Sequence, residues 1–179
     1  MHLFTDLKLD ERVTKALEEI GFLEMTEVQV KSIPPAMEGK DLIVQAMTGS
    51  GKTAAFGGPI VERTTRGKGI QAAIIGPTRE LVNQVSTEFE KFSKHKQLTV
   101  ATIFGGVSME PQVAKLKHAE IVVGTPGRML DHLRRGTFRL DRISILVLDE
   151  ADRMLDMGFI DDIRTLMAQT PKEKQTMLF

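Results

Sequence analysis

The chain contains no cysteine, which excludes disulfide frameworks and cysteine-ligated zinc and fits a reducing compartment. It has no excess of charge of either sign: 24 Lys and Arg face 24 Asp and Glu, for a formal net charge of zero. No bulk positive field therefore marks it as a nucleic-acid binder, and any such reading must come from local residues. Long apolar runs are missing as well. The stretch Ile143–Leu148, with Ser144 inside it, falls far short of the roughly 20 residues that a membrane-spanning helix needs. The opening Met1-His2-Leu3-Phe4-Thr5-Asp6 lacks the basic-then-apolar pattern of a secretory signal. There is no internal repeat, low-complexity tract or long linker. These absences lead to the expectation of a soluble cytoplasmic protein with no membrane association. At 179 residues and 41% hydrophobic content, the chain has the length and composition for one domain with a sizeable core.

Short apolar runs rich in β-branched residues recur at Leu42–Val44, Ala72–Ile75, Leu98–Phe104, Ile121–Val123, Ile143–Leu148 and Thr176–Phe179. Segments with helical spacing lie between them, such as Leu81, Val85, Phe89 and Phe92. Strands alternating with helices predict an α/β fold, a mainly parallel sheet with helices on both faces. Two helices precede the first strand: one over Glu11–Ile20, capped by Asp10 and stopped at Gly21, and one opening near Thr26. In such a sheet, ligands bind beyond the carboxyl ends of the strands. The segments in that position are Ala46–Thr53, Pro77–Glu80, Gly105-Gly106, Thr125–Arg128 and Asp149–Asp152.

The first of these, Ala46-Met47-Thr48-Gly49-Ser50-Gly51-Lys52-Thr53, fits the phosphate-loop pattern G-x-x-x-x-G-K-[ST] with Ala46 in place of the first glycine. Its glycines let backbone N–H groups wrap a phosphate, and the helix beginning near Lys52 aims its positive end at the same anion. Lys52 reaches the terminal phosphates and Thr53 offers a hydroxyl to Mg²⁺. An ordinary glycine-rich strand-to-helix turn would not require Lys followed by Thr. Further on, Ile145–Leu148 delivers Asp149 and Glu150 to the same edge. Asp149 is expected to hold Mg²⁺ through water, and Glu150 to polarise the attacking water. Alone, two such acids could equally be a solvated strand cap or an ion-paired site; with Lys52 and Thr53 they suit phosphoryl transfer.

Asp149-Glu150-Ala151-Asp152 spells DEAD. Together with the phosphate loop, Pro77-Thr78-Arg79-Glu80-Leu81 with Gln84, Gly105-Gly106 and Thr125-Pro126-Gly127-Arg128, the chain resembles the DEAD-box RNA helicases over nearly its whole length. The resemblance implies a three-layer RecA-like P-loop domain over 41–179, with 1–40 as a Q-motif region packed on it. Gly21-Phe22 followed by Thr26 and Gln29 is similar to the adenine-recognising Q motif, with Phe4 as its upstream aromatic. Met25 and Glu27 stand where prolines are usual and Val28 where isoleucine is. Thr26-x-x-Gln29 is also a plain helix capping box, so both readings stand. The family implies ATP and Mg²⁺ as cofactors, with Phe22, Thr26, Gln29 and Thr48–Thr53 on the nucleotide. It implies single-stranded RNA or an RNA duplex, held by its sugar–phosphate backbone, on Pro77, Thr78, Arg79, Gly105, Gly106, Thr125, Pro126, Gly127 and Arg128. For Arg79 and Arg128 the alternative is a surface ion pair with Glu80 or Asp131.

By the same resemblance Asp152 couples the nucleotide site to a Ser-Ala-Thr motif. The terminal Gln175–Phe179 looks like the strand leading into that motif, so a second RecA-like domain with arginine fingers is expected to follow, and the chain alone to be nearly inactive. A P-loop DNA helicase or translocase domain, or a non-catalytic RNA- or protein-binding module, are the rival readings. His2, His95, His118 and His132 show no ligand spacing and are expected at the surface. Met154, Met157 and Met167 are expected as core filler, and Lys91, Lys94 and Lys96 as a solvated helix end.

Overall fold

A computed structural model describes residues 2–179. After a 3₁₀ turn at Phe4–Leu7 come α1 (Glu11–Glu19), α2 (Glu27–Met37), β1 (Leu42–Ile43), α3 (Lys52–Arg63) and β2 (Ala72–Ile75). There follow α4 (Arg79–Ser93), β3 (Val100–Ile103), α5 (Glu110–Leu116), β4 (Ile121–Gly124) and α6 (Pro126–Arg134). The chain ends with β5 (Ile145–Leu148), α7 (Ala151–Asp156), α8 (Ile160–Ala168) and β6 (Gln175–Leu178). The six strands form one sheet in the order β1-β6-β5-β2-β4-β3, and every pairing is parallel. Asp10 caps α1, accepting the Arg12 N–H at 2.9 Å. Among the described residues no helix is long and apolar enough to cross a membrane.

The central strands β2, β4 and β5 are buried on both faces, and the alternation of the sheet's residues divides the core in two. Ile74, Val123, Val147 and Met177 point to one side, where α1 to α4 supply Val13, Leu17, Ile33, Phe56, Phe89 and Phe92. Ala73, Ile75, Val122, Leu146 and Leu148 point to the other, against Leu116, Met129, Met154, Ile163 and Leu166 of α5 to α8. This is why the strand runs read as continuously apolar rather than alternating. Strands β3 and β5 are shorter than their apolar runs because the ladders are set by neighbours: Val100 pairs with Ile121, and Ile145 with both Ala72 and Gln175.

Three expectations need correction. His132 is fully buried rather than at the surface. Lys96 is no solvated end: its ammonium donates to Val61 O and Glu62 O, each at 2.8 Å, satisfying carbonyls in the last turn of α3. Of the three methionines only Met154 is core, whereas Met157 and Met167 are exposed.

Gly124 ends β4 where the chain turns into Thr125. A Cβ there would lie 2.5 Å from Ile103 Cγ1 and 2.8 Å from Ile103 O, and the carbonyl cannot rotate away. Gly124→Ala is expected to destabilise the domain by roughly 1–3 kcal/mol in urea unfolding, by forcing β3 and β4 apart. An unchanged midpoint would show that the strand ends are looser than this packing implies.

Candidate nucleotide and nucleic-acid site

All five polar segments emerge at the carboxyl edge of the sheet. The phosphate loop turns at Gly49 (φ 81°) and Gly51 (φ 88°), conformations that a side chain would strain, and Gly51 caps α3. A Cβ on Gly51 would also come within 2.5 Å of Gln29 Nε2. Lys52 Nζ donates to Ala46 O at 3.0 Å, across the mouth of the loop. A cleft of about 360 Å³ brings together Thr48, Gly49, Gly51, Lys52, Thr53, Asp149 and Glu150, with Phe22, Gln84 and Glu88 on its walls.

The two acids differ in environment. Asp149 is 7% exposed; burial, and then the neighbouring Glu150 charge, push its carboxyl up to about 6 against the pull of Lys52. Glu150 is held in the left-handed region at φ 52°, ψ 50°, a conformation that costs a non-glycine residue roughly 1 kcal/mol or more. It pairs with Arg153 at 3.2 Å. The backbone around the acids is tied to both neighbouring strands: Asp149 N–H donates to Ile75 O at 2.9 Å, and Ala151 N–H to Phe179 O at 3.0 Å. Asp152 is exposed and accepts the Arg153 N–H at 2.8 Å. Among the described residues no three His, Cys, Asp or Glu side chains converge as a metal cage. One carboxylate and one hydroxyl at a phosphate loop suit an ion that keeps water and phosphate oxygens as its other ligands, which is the habit of Mg²⁺.

Sequence reasoning missed Glu88. Burial pushes its carboxyl up, opposed by Lys91 and Thr53, and its charge bears in turn on Asp149. It sits on the inward side of α4, two helical turns beyond Leu81. That helical spacing was the available signal.

The Thr26–Gln29 segment forms a capping box and also holds the phosphate loop. Gln29 Oε1 accepts the Thr26 N–H at 2.8 Å, and the Thr26 hydroxyl donates to Ser50 O at 2.8 Å. Gln29 Nε2 donates to Gly51 O at 3.0 Å, so the pair grips the phosphate loop. Gln29 is fully buried, Phe22 stands edge-on between Phe4 and Phe92, and Phe4 is core. Thr26 lines a separate cavity of about 590 Å³ between α2 and the β1 to phosphate-loop segment. The three adenine candidates therefore do not converge on one cavity.

The remaining loops lie further along the same edge. Thr78 caps α4, its hydroxyl accepting the Leu81 N–H at 3.3 Å, and Pro77 and Pro126 are buried. Arg79 is exposed and stacks 4.7 Å above the Phe104 ring; among the described residues it makes no ion pair. Gly105, Gly106 (φ 80°) and Gly127 are exposed, so backbone there is open to close approach, and Thr125 is half-buried beside them. Arg128 turns inward: Nη1 and Nη2 donate to Val107 O at 3.2 Å, and Asp131 lies at 4.0 Å.

Comparison with known proteins agrees with this arrangement. The family model for the DEAD/DEAH box helicases matches residues 26–179. The chain is similar to the ATP-dependent RNA helicase CshA of Listeria monocytogenes, 51% identical over all of this chain and 35% of that protein. It is also similar to the DEAD-box ATP-dependent RNA helicase CshA of Geobacillus kaustophilus, 49% identical over all of this chain and 39% of that one. The chain thus spans little more than a third of the length of these curated relatives. Among solved structures, a DEAD box protein from Methanococcus jannaschii superposes with a TM-score of 0.96 at 43% identity, over all of this chain and 50% of that one. A hypothetical ATP-dependent RNA helicase from Sulfolobus tokodaii gives 0.89 at 42% identity, over 96% of this chain and 50% of that one. With a parallel RecA-like sheet, a phosphate loop facing Asp149-Glu150-Ala151-Asp152, and this similarity along its whole length, the chain belongs to the DEAD/DEAH-box helicase family.

Proposed function

We propose that this chain supplies the ATP-binding face and one side of the RNA-binding face of an ATP-dependent RNA helicase, and that it works against a second RecA-like domain. The observation that carries the reading is the convergence of Lys52, Thr53, Asp149 and Glu150 on one cleft. Backbone N–H groups of Thr48–Gly51 wrap the phosphates, and Lys52 exchanges Ala46 O for a terminal phosphate oxygen. Thr53 and Asp149 would hold Mg²⁺, which would neutralise negative charge on the phosphates. Glu150 takes the proton of the attacking water. Thr26 and Gln29, whose polar groups sit on the loop carbonyls of Ser50 and Gly51, would have to exchange those contacts to reach an adenine edge, and Phe22 would offer its ring to the base.

Thr78, Arg79, Gly105, Gly106, Thr125 and Gly127 face RNA, with the buried Pro77 and Pro126 shaping the starts of the loops behind them. Close backbone approach, a capped helix start and the cation of Arg79 suit a sugar–phosphate chain and carry no base information, so binding is indifferent to sequence. Asp152, exposed beside the acids, couples the two domains.

Lys52→Ala is expected to weaken binding of a fluorescent ATP analogue with Mg²⁺ at least about tenfold, since it removes a charge-assisted contact to phosphate. The fold should stay intact, because Lys52 makes only one internal hydrogen bond. Undiminished affinity would place the nucleotide elsewhere.

A further inference from the structure

Beneath the RNA-facing loops lies a buried polar chain that the proposed function does not use. His132, fully buried on α6, places Nε2 2.9 Å from Gln112 Oε1 and Nδ1 2.7 Å from Thr137 Oγ1. Gln112, buried on α5, donates from Nε2 to Phe104 O at 3.0 Å, while its Oε1 also receives Arg128 Nη1 at 3.3 Å. Arg128 in turn holds Val107 O. Phe104 and Val107 bracket Gly105-Gly106, and the Phe104 ring lies under Arg79.

The donors and acceptors fix the orientation of the Gln112 amide and the proton on His132 Nε2. Phe104 O requires a donor from Gln112, so the amide cannot be flipped, and Oε1 must accept from both Arg128 and His132. Oε1 can only accept, so Nε2 carries a proton, while the Thr137 hydroxyl lies 2.7 Å from Nδ1 and 3.0 Å from His132 O. Burial, and next the Arg128 charge, hold the ring below its ordinary value, which keeps it neutral at pH 7. Arg128 directs both terminal nitrogens to the chain itself, and among the described residues its buried Nε has no hydrogen-bond partner. Its fork is therefore committed to loop geometry rather than presented to a phosphate.

We infer that His132 is a positioning residue for RNA: it sets Gln112, and through Gln112 and Arg128 it fixes the carbonyls on either side of Gly105-Gly106. This rests on the proposed RNA face. Without the His132 donor, Gln112 Oε1 keeps only the long Arg128 contact, and both ends of a two-glycine loop with little rigidity of its own are freed.

The test titrates the chain with hexauridylate and follows the backbone amides of Gly105, Gly106 and Thr125 by NMR. His132→Leu is expected to weaken binding about fivefold, the effect of a lost buried hydrogen bond, and to broaden or shift the Gly105 and Gly106 amides before RNA is added. Affinity for a fluorescent ATP analogue should stay within about twofold, a split that general destabilisation would not give. His132→Gln, whose Nε2 can reach the same acceptor, should restore both the loop amides and the affinity. Thr137→Val, at a half-buried site, gives a milder copy should the leucine variant not fold. Hexauridylate binding by His132→Leu or Thr137→Val as tight as by the unmodified chain, or a glutamine variant as impaired as the leucine one, overturns the inference and leaves the RNA face standing. Failure of hexauridylate to perturb Gly105, Gly106 and Thr125 in the unmodified chain overturns the RNA face itself and the inference with it.

Discussion

Glutamine at position 150 is expected to lower RNA-stimulated ATP hydrolysis roughly 10²–10⁴-fold, the range set by loss of a general base. The protein for the measurement is a helicase of the relatives' length carrying this chain. Affinity for ATP should change little. The amide has the shape of the carboxylate and meets the same backbone cost at φ 52°, so the αL turn at the start of α7 survives. What it lacks is the negative charge that orients and deprotonates water. The Arg153 contact, a half-exposed pair at 3.2 Å, weakens without much effect on stability. Single-turnover hydrolysis and equilibrium nucleotide binding separate the two effects. Normal turnover with this variant would remove Glu150 from its proposed role, and equal losses in binding and turnover would make it a ligand rather than a base.

The architecture was legible because two signals agreed. Apolar runs marked every strand, and the first five were each followed by a polar or glycine-rich segment suited to a carboxyl edge. Burial on both faces explains why Ala72–Ile75 and Ile145–Leu148 showed no alternation, so the pattern pointed to a parallel sheet before any pairing was known. The meeting of Lys52, Thr53, Asp149 and Glu150 at one cleft was legible for a similar reason: each lies just past the end of an apolar strand run. What stayed hidden depended on distance across the fold. Nothing in Thr26-x-x-Gln29 says that its hydroxyl will turn to Ser50 O, because the capping box and the loop contact use the same two side chains. His132 carried no motif, and its burial follows only from α6 packing its inner face against Phe138 and α5. Arg128 looked like a phosphate fork until Val107 O and Gln112 were seen to occupy it. Glu88 was one of several acids on an amphipathic helix, and only the packing of α4 against α3 turned it toward Thr53.

Asparagine at position 149 should make the chain more stable and useless as a Mg²⁺ site at once. Asp149 has a folded-state pKa of about 6 against an ordinary 3.8, so between those values the folded chain holds a proton that the unfolded chain has released. Stability from this group is therefore fully present below pH 3.8 and is lost as pH rises through 6. At pH 7 the loss is at most about 3 kcal/mol, from roughly 1.4 kcal/mol per unit. Asparagine removes the charge while keeping the volume. Urea unfolding without Mg²⁺ should show the variant more stable than the unmodified chain at pH 7 and the advantage gone near pH 4, because both side chains are then neutral. Mg²⁺-dependent ATP binding should fall in the variant at pH 7. In the unmodified chain it should weaken as pH drops below 6, where the carboxyl regains its proton and can no longer ligate the ion. A variant no more stable than the unmodified chain at pH 7 would mean that Lys52 and the loop already compensate the buried charge. A gain confined to neutral pH would instead identify Asp149 as a residue held at the sheet edge against folding stability, which is how a site that must bind a cation in a dry cleft differs from the core around it.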